Sequence, residues 1–188
     1  MKNIAIFASG AATNADNIIK YFKNNSKIKV AVLVSNKQES GVFEIGKNND
    51  LPSILINKSE LSSEKFINTL KEDYQIDLIV LAGFLLLIPI NLIQAFEDKM
   101  INIHPSLLPK FGGKGMYGMN VHKAVFEAKE KETGISIHYV NEKFDEGKII
   151  AQYKCNIQDL TSPEEIAKRN QQLEYDYFPK VIEEILSN

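Results

Sequence analysis

Asn102 and His104 stand two residues apart in Met-Ile-Asn-Ile-His-Pro, residues 100–105. On an extended strand end, residues two apart share a face. A side-chain amide and an imidazole on one face suit acyl transfer: the amide N–H groups stabilise a developing oxyanion, and the imidazole moves protons. The same pair also describes two polar side chains satisfied by local hydrogen bonds, and on the pair alone that is the commoner situation. Asp145 sits in Phe-Asp-Glu-Gly, residues 144–147, a turn by composition. A turn Asp ordinarily bonds its own backbone. The functional alternative is a carboxylate that orients His104 and helps it hold a proton. Ser9-Gly10-Ala11-Ala12-Thr13-Asn14 forms a third cluster. Backbone N–H groups at a helix start bind phosphate. One glycine matches neither a GxGxxG fingerprint nor a Walker A loop, however, and a plain Thr13 or Asn14 cap explains the segment equally well.

The remaining candidates are weaker. His138 lies among apolar residues of a strand and reads as a packed core histidine, whereas His122 starts a helix and reads as exposed. With three histidines, no ligand-spaced carboxylates beside them and one cysteine, a metal site is not expected. No GxSxG elbow is present, and Cys155 inside a strand reads as packing. A net charge of −2 gives no reason to expect nucleic acid or an anionic membrane as partner. A single cysteine allows no intrachain disulfide, which fits a reducing compartment. No signal peptide is read, and the longest apolar stretch, 78–90, carries Gly83 and Pro89 and is too short to span a bilayer. The expectation is a cytoplasmic protein with small-molecule substrates, either monomer or homodimer.

The elements that must position these residues follow from patterning. Residues 4–8, 30–34, 53–56 and 78–82 are short apolar runs, as suits strands covered on both faces. Helical patterns at 14–22, 42–47 and 62–74 alternate with them, the last with Ser62 as its cap and Phe66, Ile67 and Leu70 as its stripe. This order predicts an α/β fold: an open, mostly parallel twisted sheet with helices on both faces. Beyond residue 99 the pattern predicts a helix at 89–96, a strand at 100–103, a mobile glycine-rich loop at 111–118 and a helix at 121–129. Strands at 134–140 and 149–154 follow. A final helix opens with Ser162 as cap, Pro163 at its first position and Glu165 closing a capping box, and a break is expected near Pro179. The whole chain, 1–188, reads as one domain, with a regular half at 1–99 and a catalytic half at 100–188. Ligands of open α/β sheets lie outside the carboxyl ends of the strands. The 9–14 loop, Gly83 and the 102–104 segment all fall there.

Asn-Ile-His-Pro-Ser-Leu-Leu-Pro, residues 102–109, resembles the signature of the folate-dependent formyltransferases. Gly-Ile-Ser-Ile-His-Tyr-Val, 134–140, followed by Phe-Asp-Glu-Gly, 144–147, resembles their second block. The resemblance covers essentially the whole chain and is nearest to the branch that formylates 5'-phosphoribosylglycinamide (glycinamide ribonucleotide) in purine synthesis. It implies that the glycinamide amine attacks the formyl carbon of 10-formyltetrahydrofolate. Asn102 would stabilise the oxyanion, His104 would act as the acid and shuttle protons, and Asp145 would hold His104 and raise its pKa. Gly134 to His138 would line the site, with Ser136 holding a water and His138 close behind. Gly10, Ala12, Thr13 and Asn14 would grip the ribose phosphate, and Glu174 would meet the sugar hydroxyls. The folate would lie near Leu85, Leu86, Leu87 and Ile88, beside Asn102, and against Asn141 to Asp145, Phe144 included. No metal is implied.

This sequence departs from the family in places. Ala12 stands where a second glycine is common, which requires that the position not need φ > 0. Leu86 stands where an arginine is common, and an arginine often found near Ser63 is missing. Formyltetrahydrofolate hydrolases and methionyl-tRNA formyltransferases share the Asn-x-His and Asp core but carry a further domain. This chain opens on its first strand and closes on its last helix, so a small-molecule acceptor is expected. A non-catalytic α/β ligand-binding protein is the remaining alternative.

Overall fold

The computed structural model describes residues 1–187. Strand β1, Lys2–Phe7, is followed by α1, Thr13–Phe22; β2, Ile28–Ser35; α2, Val42–Asn48; and β3, Ser53–Leu55. Next come two short helices, α3, Lys58–Leu61, and α4, Glu64–Asn68, and a π-helical turn, Thr69–Asp73. Strand β4, Leu78–Leu81, and helix α5, Ile90–Ala95, lead to β5, Met100–His104. Helix α6, Met119–Glu127, β6, Glu132–Tyr139, β7, Ile149–Asn156, and α7, Pro163–Ser187, complete the chain. The seven strands form one sheet in the order β3-β2-β1-β4-β5-β6-β7. Its first five members pair in parallel, and β6 and β7 join antiparallel. The sheet therefore has the open α/β form that the sequence predicts.

Why β1 is apolar throughout is visible in its packing. Ile4 and Ile6 belong to the core shared with α1 and α7, whereas Ala5 and Phe7 belong to the opposite core, shared with α4 and α5. Successive side chains of a strand point to opposite faces, so a strand covered on both sides must be apolar at every position. The chain turns from building one side of the sheet to the other between β1 and β4. The carboxyl ends of these two strands meet there, with Ser9 N–H donating to the Gly83 carbonyl (3.0 Å). Such a reversal leaves a crevice between diverging loops.

Three local expectations are corrected. The helix expected at 62–74 is divided. Asn57 starts α3 with a complete capping box, and Ser63, not Ser62, accepts from the Phe66 N–H to cap α4. The extra cap captures a turn that the 62–74 pattern left out. Glu165 does not close a box on Ser162. Ser162 Oγ accepts from the Glu165 N–H (3.3 Å), but the Glu165 carboxylate reaches back to the Thr161 N–H (2.6 Å). Helix α7 is not broken at Pro179. A helical proline leaves the carbonyl four residues earlier without its donor, and here the side-chain amide of Asn17 donates to that carbonyl, Tyr175 O (3.1 Å).

Ala12 caps α1 at φ 57°, in the left-handed region. The condition set by the missing glycine is therefore not met: the position does use φ > 0, and alanine adopts it. The left-handed conformation disfavours alanine by about 1–2 kcal/mol. Ala12 is buried in the core beside α1, and its methyl group offsets about 0.8 kcal/mol of that. Glycine would lose that methyl and a further ~0.5–1 kcal/mol in chain entropy. Ala12→Gly should therefore move stability by less than about 1 kcal/mol in either direction. Chemical denaturation checks this, and a loss above about 2 kcal/mol would mean that the methyl packs a cavity nothing else can fill.

Candidate active site

The crevice at the strand ends opens into a cavity of about 910 Å³. Strand β5 places Asn102 and His104 on the same face, and its antiparallel partner β6 sets His138 opposite Asn102. Asp145 comes from the turn between β6 and β7, at φ 59°, a conformation that Asp tolerates better than most residues. Its carboxylate does not bond its own turn. Asp145 Oδ2 lies 3.4 Å from His104 Nδ1 and accepts from the Gly113 N–H (2.9 Å). Asp145 Oδ1 accepts from Asn102 Nδ2 at 3.4 Å. Burial alone would push the Asp145 carboxyl up. The hydrogen bond and charge of His104 and the Gly113 N–H outweigh it and hold Asp145 well below the usual carboxylate range.

His104 is buried and has an acceptor at each ring nitrogen. Its Nε2–H donates to the Phe111 carbonyl (2.8 Å), and its Nδ1 faces Asp145. The Phe111 carbonyl and Asp145 together fix the orientation of the ring. His138 is arranged differently. Its Nδ1–H donates to the Tyr139 carbonyl (2.8 Å), which leaves Nε2 to accept from Asn102 Nδ2 (3.0 Å). The Asn102 amide is thus aimed by His138 and only weakly held by Asp145. Phe111, at φ 56°, is a bulky residue in the left-handed region, and its backbone is strained at the point where it meets His104.

The far end of the cavity is built by α1 and α7. Gly10, Ala12, Thr13 and Asn14 line it at the start of α1, where the first-turn N–H groups have no intrahelical acceptor. The loop is buttressed from α2, since the Gly41 N–H and Ser40 Oγ–H both donate to the Gly10 carbonyl (each 3.0 Å). Glu174 of α7 lines the same end, and its carboxylate accepts from Asn14 Nδ2 (2.7 Å). Burial raises the Glu174 pKa, against the Asn14 hydrogen bond and the His104 charge. At the mouth, Leu85, Leu87 and Phe144 are exposed, Leu86 and Asn141 are half-buried, and Ile88 is buried. Leu86 packs on the core shared with α4 and α5, so the position open to an arginine is here part of the apolar wall.

The structure thus brings Asn102, His104 and Asp145 together with both sets of proposed contact residues around one cavity. It does not bring Ser136 there. Ser136 is fully buried: its hydroxyl donates to the Ser106 carbonyl (2.6 Å) and accepts from the Leu108 N–H (2.9 Å) and Gln152 Nε2 (2.8 Å). That bonding ties down the segment after His104 and leaves no place for a water. Of residues 134–138 only His138 lines the cavity. His122, expected at the surface, is buried and lines the cavity too. Its spacing with Val121 and Val125, one face of α6, was the available signal. The Phe111 carbonyl and Gly113 N–H carry no side-chain signature and could not be read from sequence.

The formyl transferase family model matches residues 2–182, which takes in every one of these positions. This chain belongs to the formyl transferase family. Among its relatives, the formyl transferase named phosphoribosylglycinamide formyltransferase of Bacillus subtilis is 37% identical, over 99% of this chain and 95% of its own. The chloroplastic phosphoribosylglycinamide formyltransferase of Arabidopsis thaliana is 39% identical over 96% of this chain. The present chain spans only 64% of that plant protein and 60% of the one from Vigna unguiculata. The crystal structure of phosphoribosylglycinamide formyltransferase from Bacillus halodurans superposes with a TM-score of 0.87 at 34% identity, covering 100% of this chain and 96% of its own. This formyl transferase has no helix, among the described residues, that is long and apolar enough to cross a membrane.

Proposed function

We propose that this chain transfers the formyl group of 10-formyltetrahydrofolate to the amine of glycinamide ribonucleotide. The observation that carries the reading is the joining, in one cavity, of a helix start suited to phosphate with the Asn102, His104 and Asp145 cluster. The phosphate would meet the free N–H groups at Gly10 to Asn14, and the ribose hydroxyls would meet Glu174. The apolar mouth at Leu85, Leu87 and Phe144 suits the flat pterin and benzoyl groups of a folate, with Asn141 offering polar contacts at the rim.

The amine would attack the formyl carbon, forming a C–N bond and placing negative charge on the formyl oxygen. Asn102 Nδ2 would give up its 3.4 Å bond to Asp145 and donate to that oxygen. The attacking nitrogen becomes positive and loses a proton. The leaving folate nitrogen needs one as its bond to the formyl carbon breaks, and His104 would pass it. Asp145 would keep the ring oriented and its charge balanced. The products are the formylated glycinamide and tetrahydrofolate.

The test is an assay of the purified protein with 10-formyltetrahydrofolate, with and without glycinamide ribonucleotide. Tetrahydrofolate is expected only when the acceptor is present. Deformylation without acceptor would point to a hydrolase instead, and no turnover in either case would leave a binding protein.

A further inference from the structure

His122 lies in the first turn of α6 and is 6% exposed. Its ring lines the cavity that holds His104 and Asp145. Its Nδ1 is sealed from solvent and has no hydrogen-bond partner among the described residues. Buried polar atoms are nearly always paired, and an unpaired one is a standing penalty that an apolar side chain would not carry. Packing does not call for an imidazole. Val121 and Val125, on the same face of α6, already pack with Ile157 and Ile166.

The charge state narrows its chemistry. Burial, and then the charge of His104, lowers the His122 pKa to about 4, so the ring is neutral near pH 7. A neutral imidazole has one N–H and one lone pair. With no acceptor in reach, the sealed Nδ1 keeps the lone pair and the proton sits on Nε2, the nitrogen left to meet a ligand. Helix α6 packs along α7, the helix that brings Gln171 and Glu174 to the acceptor's end of the cavity.

We propose that His122 is a substrate-contacting residue, its Nε2–H donating to the amide carbonyl oxygen beside the attacking amine of the acceptor. The inference rests on the formyl-transfer reading above. A neutral donor fits this place because the attacking nitrogen turns positive as the bond forms, and a positive charge on His122 would oppose it. The contact would fix the amine's approach.

Two variants test this, His122→Leu and His122→Gln, each compared with the parent for kcat/KM and for melting temperature. His122→Leu should lower kcat/KM for glycinamide ribonucleotide by about tenfold or more, the loss of one neutral hydrogen bond in a desolvated site. The KM for the folate should stay within about twofold, because that contact is not made to it. The melting temperature of the free protein should hold or rise, since an orphaned polar atom has been removed. His122→Gln, which keeps a donor, should recover part of the loss. A Leu variant as active as an active parent overturns this inference alone. So does one whose melting temperature falls together with its activity, since that describes a structural histidine. A parent without formyl transfer overturns the proposed function first, and the His122 assignment with it.

Discussion

His104→Ala is expected to lower the rate of formyl transfer by about a hundred- to ten-thousand-fold, the usual size of a positioned acid–base group's contribution. Its ring is held between the Phe111 carbonyl and Asp145. Removing the imidazole takes away the proton carrier. It also strips the donor from the Phe111 carbonyl, 2.8 Å away, and leaves the half-buried Asp145 carboxylate without its imidazole neighbour. Some stability should go with the activity, on the order of 1–3 kcal/mol for a buried acceptor left unpaired. Turnover at saturating substrates and a denaturation curve read the two effects separately. A variant whose turnover stays within a few-fold of the parent would remove His104 from the chemistry.

Asp145→Asn should have an effect of similar size, about a hundredfold or more on turnover, for a different reason. Asparagine keeps the shape but removes the negative charge beside His104, and its N–H group faces either the His104 Nδ1 and Gly113 N–H pair that met Oδ2 or the Asn102 amide that met Oδ1. The variant also has a signature in the pH dependence of stability. The folded protein holds the Asp145 carboxyl below its ordinary value. A carboxyl with a depressed folded pKa adds stability that is complete above the unfolded value, near 3.9, and is lost as pH falls through the folded value. The parent should therefore exceed the variant in stability at neutral pH, and the gap should close below about pH 4. Parallel curves across that range would show that the carboxylate gains nothing from its setting.

Periodicity and turn chemistry were enough to read the sheet. The apolar runs at β1, β2 and β4 identify buried parallel strands because both faces of each carry a core. The site was partly legible for a related reason. Asn102 and His104 share a face by strand period alone, and their place at a strand end pointed to the crevice. Asp145 was ambiguous, because a turn Asp has many local partners and its approach to His104 depends on the β6–β7 hairpin. Gly112 shows how far beyond local sequence this goes, since a Cβ there would press on Leu108 and on the Asp145 side chain. Ser136 misled because a strand period of two puts it on the opposite face from Ile135 and Ile137, together with His138, without telling how far along the strand the cavity ends. His122 was missed because a helix start was read as surface, while α6 is in fact set against α7 and the glycine-rich loop.

The proline in α7 bears on how this pocket is held together. Pro179 frees the Tyr175 carbonyl, Asn17 of α1 takes it, and one residue earlier Glu174 is held by Asn14 of the same helix. These two ties span 158 and 160 residues of chain. Contacts so distant in sequence close long loops, and the packing of α7 on α1 must offset the entropy of that closure. The strand that carries Asn102 and His104 belongs to the sheet, whereas the end of the cavity at residues 10–14 also depends on α7. Loosening of the last helix would then open that end of the cavity while leaving Asn102 and His104 in the sheet.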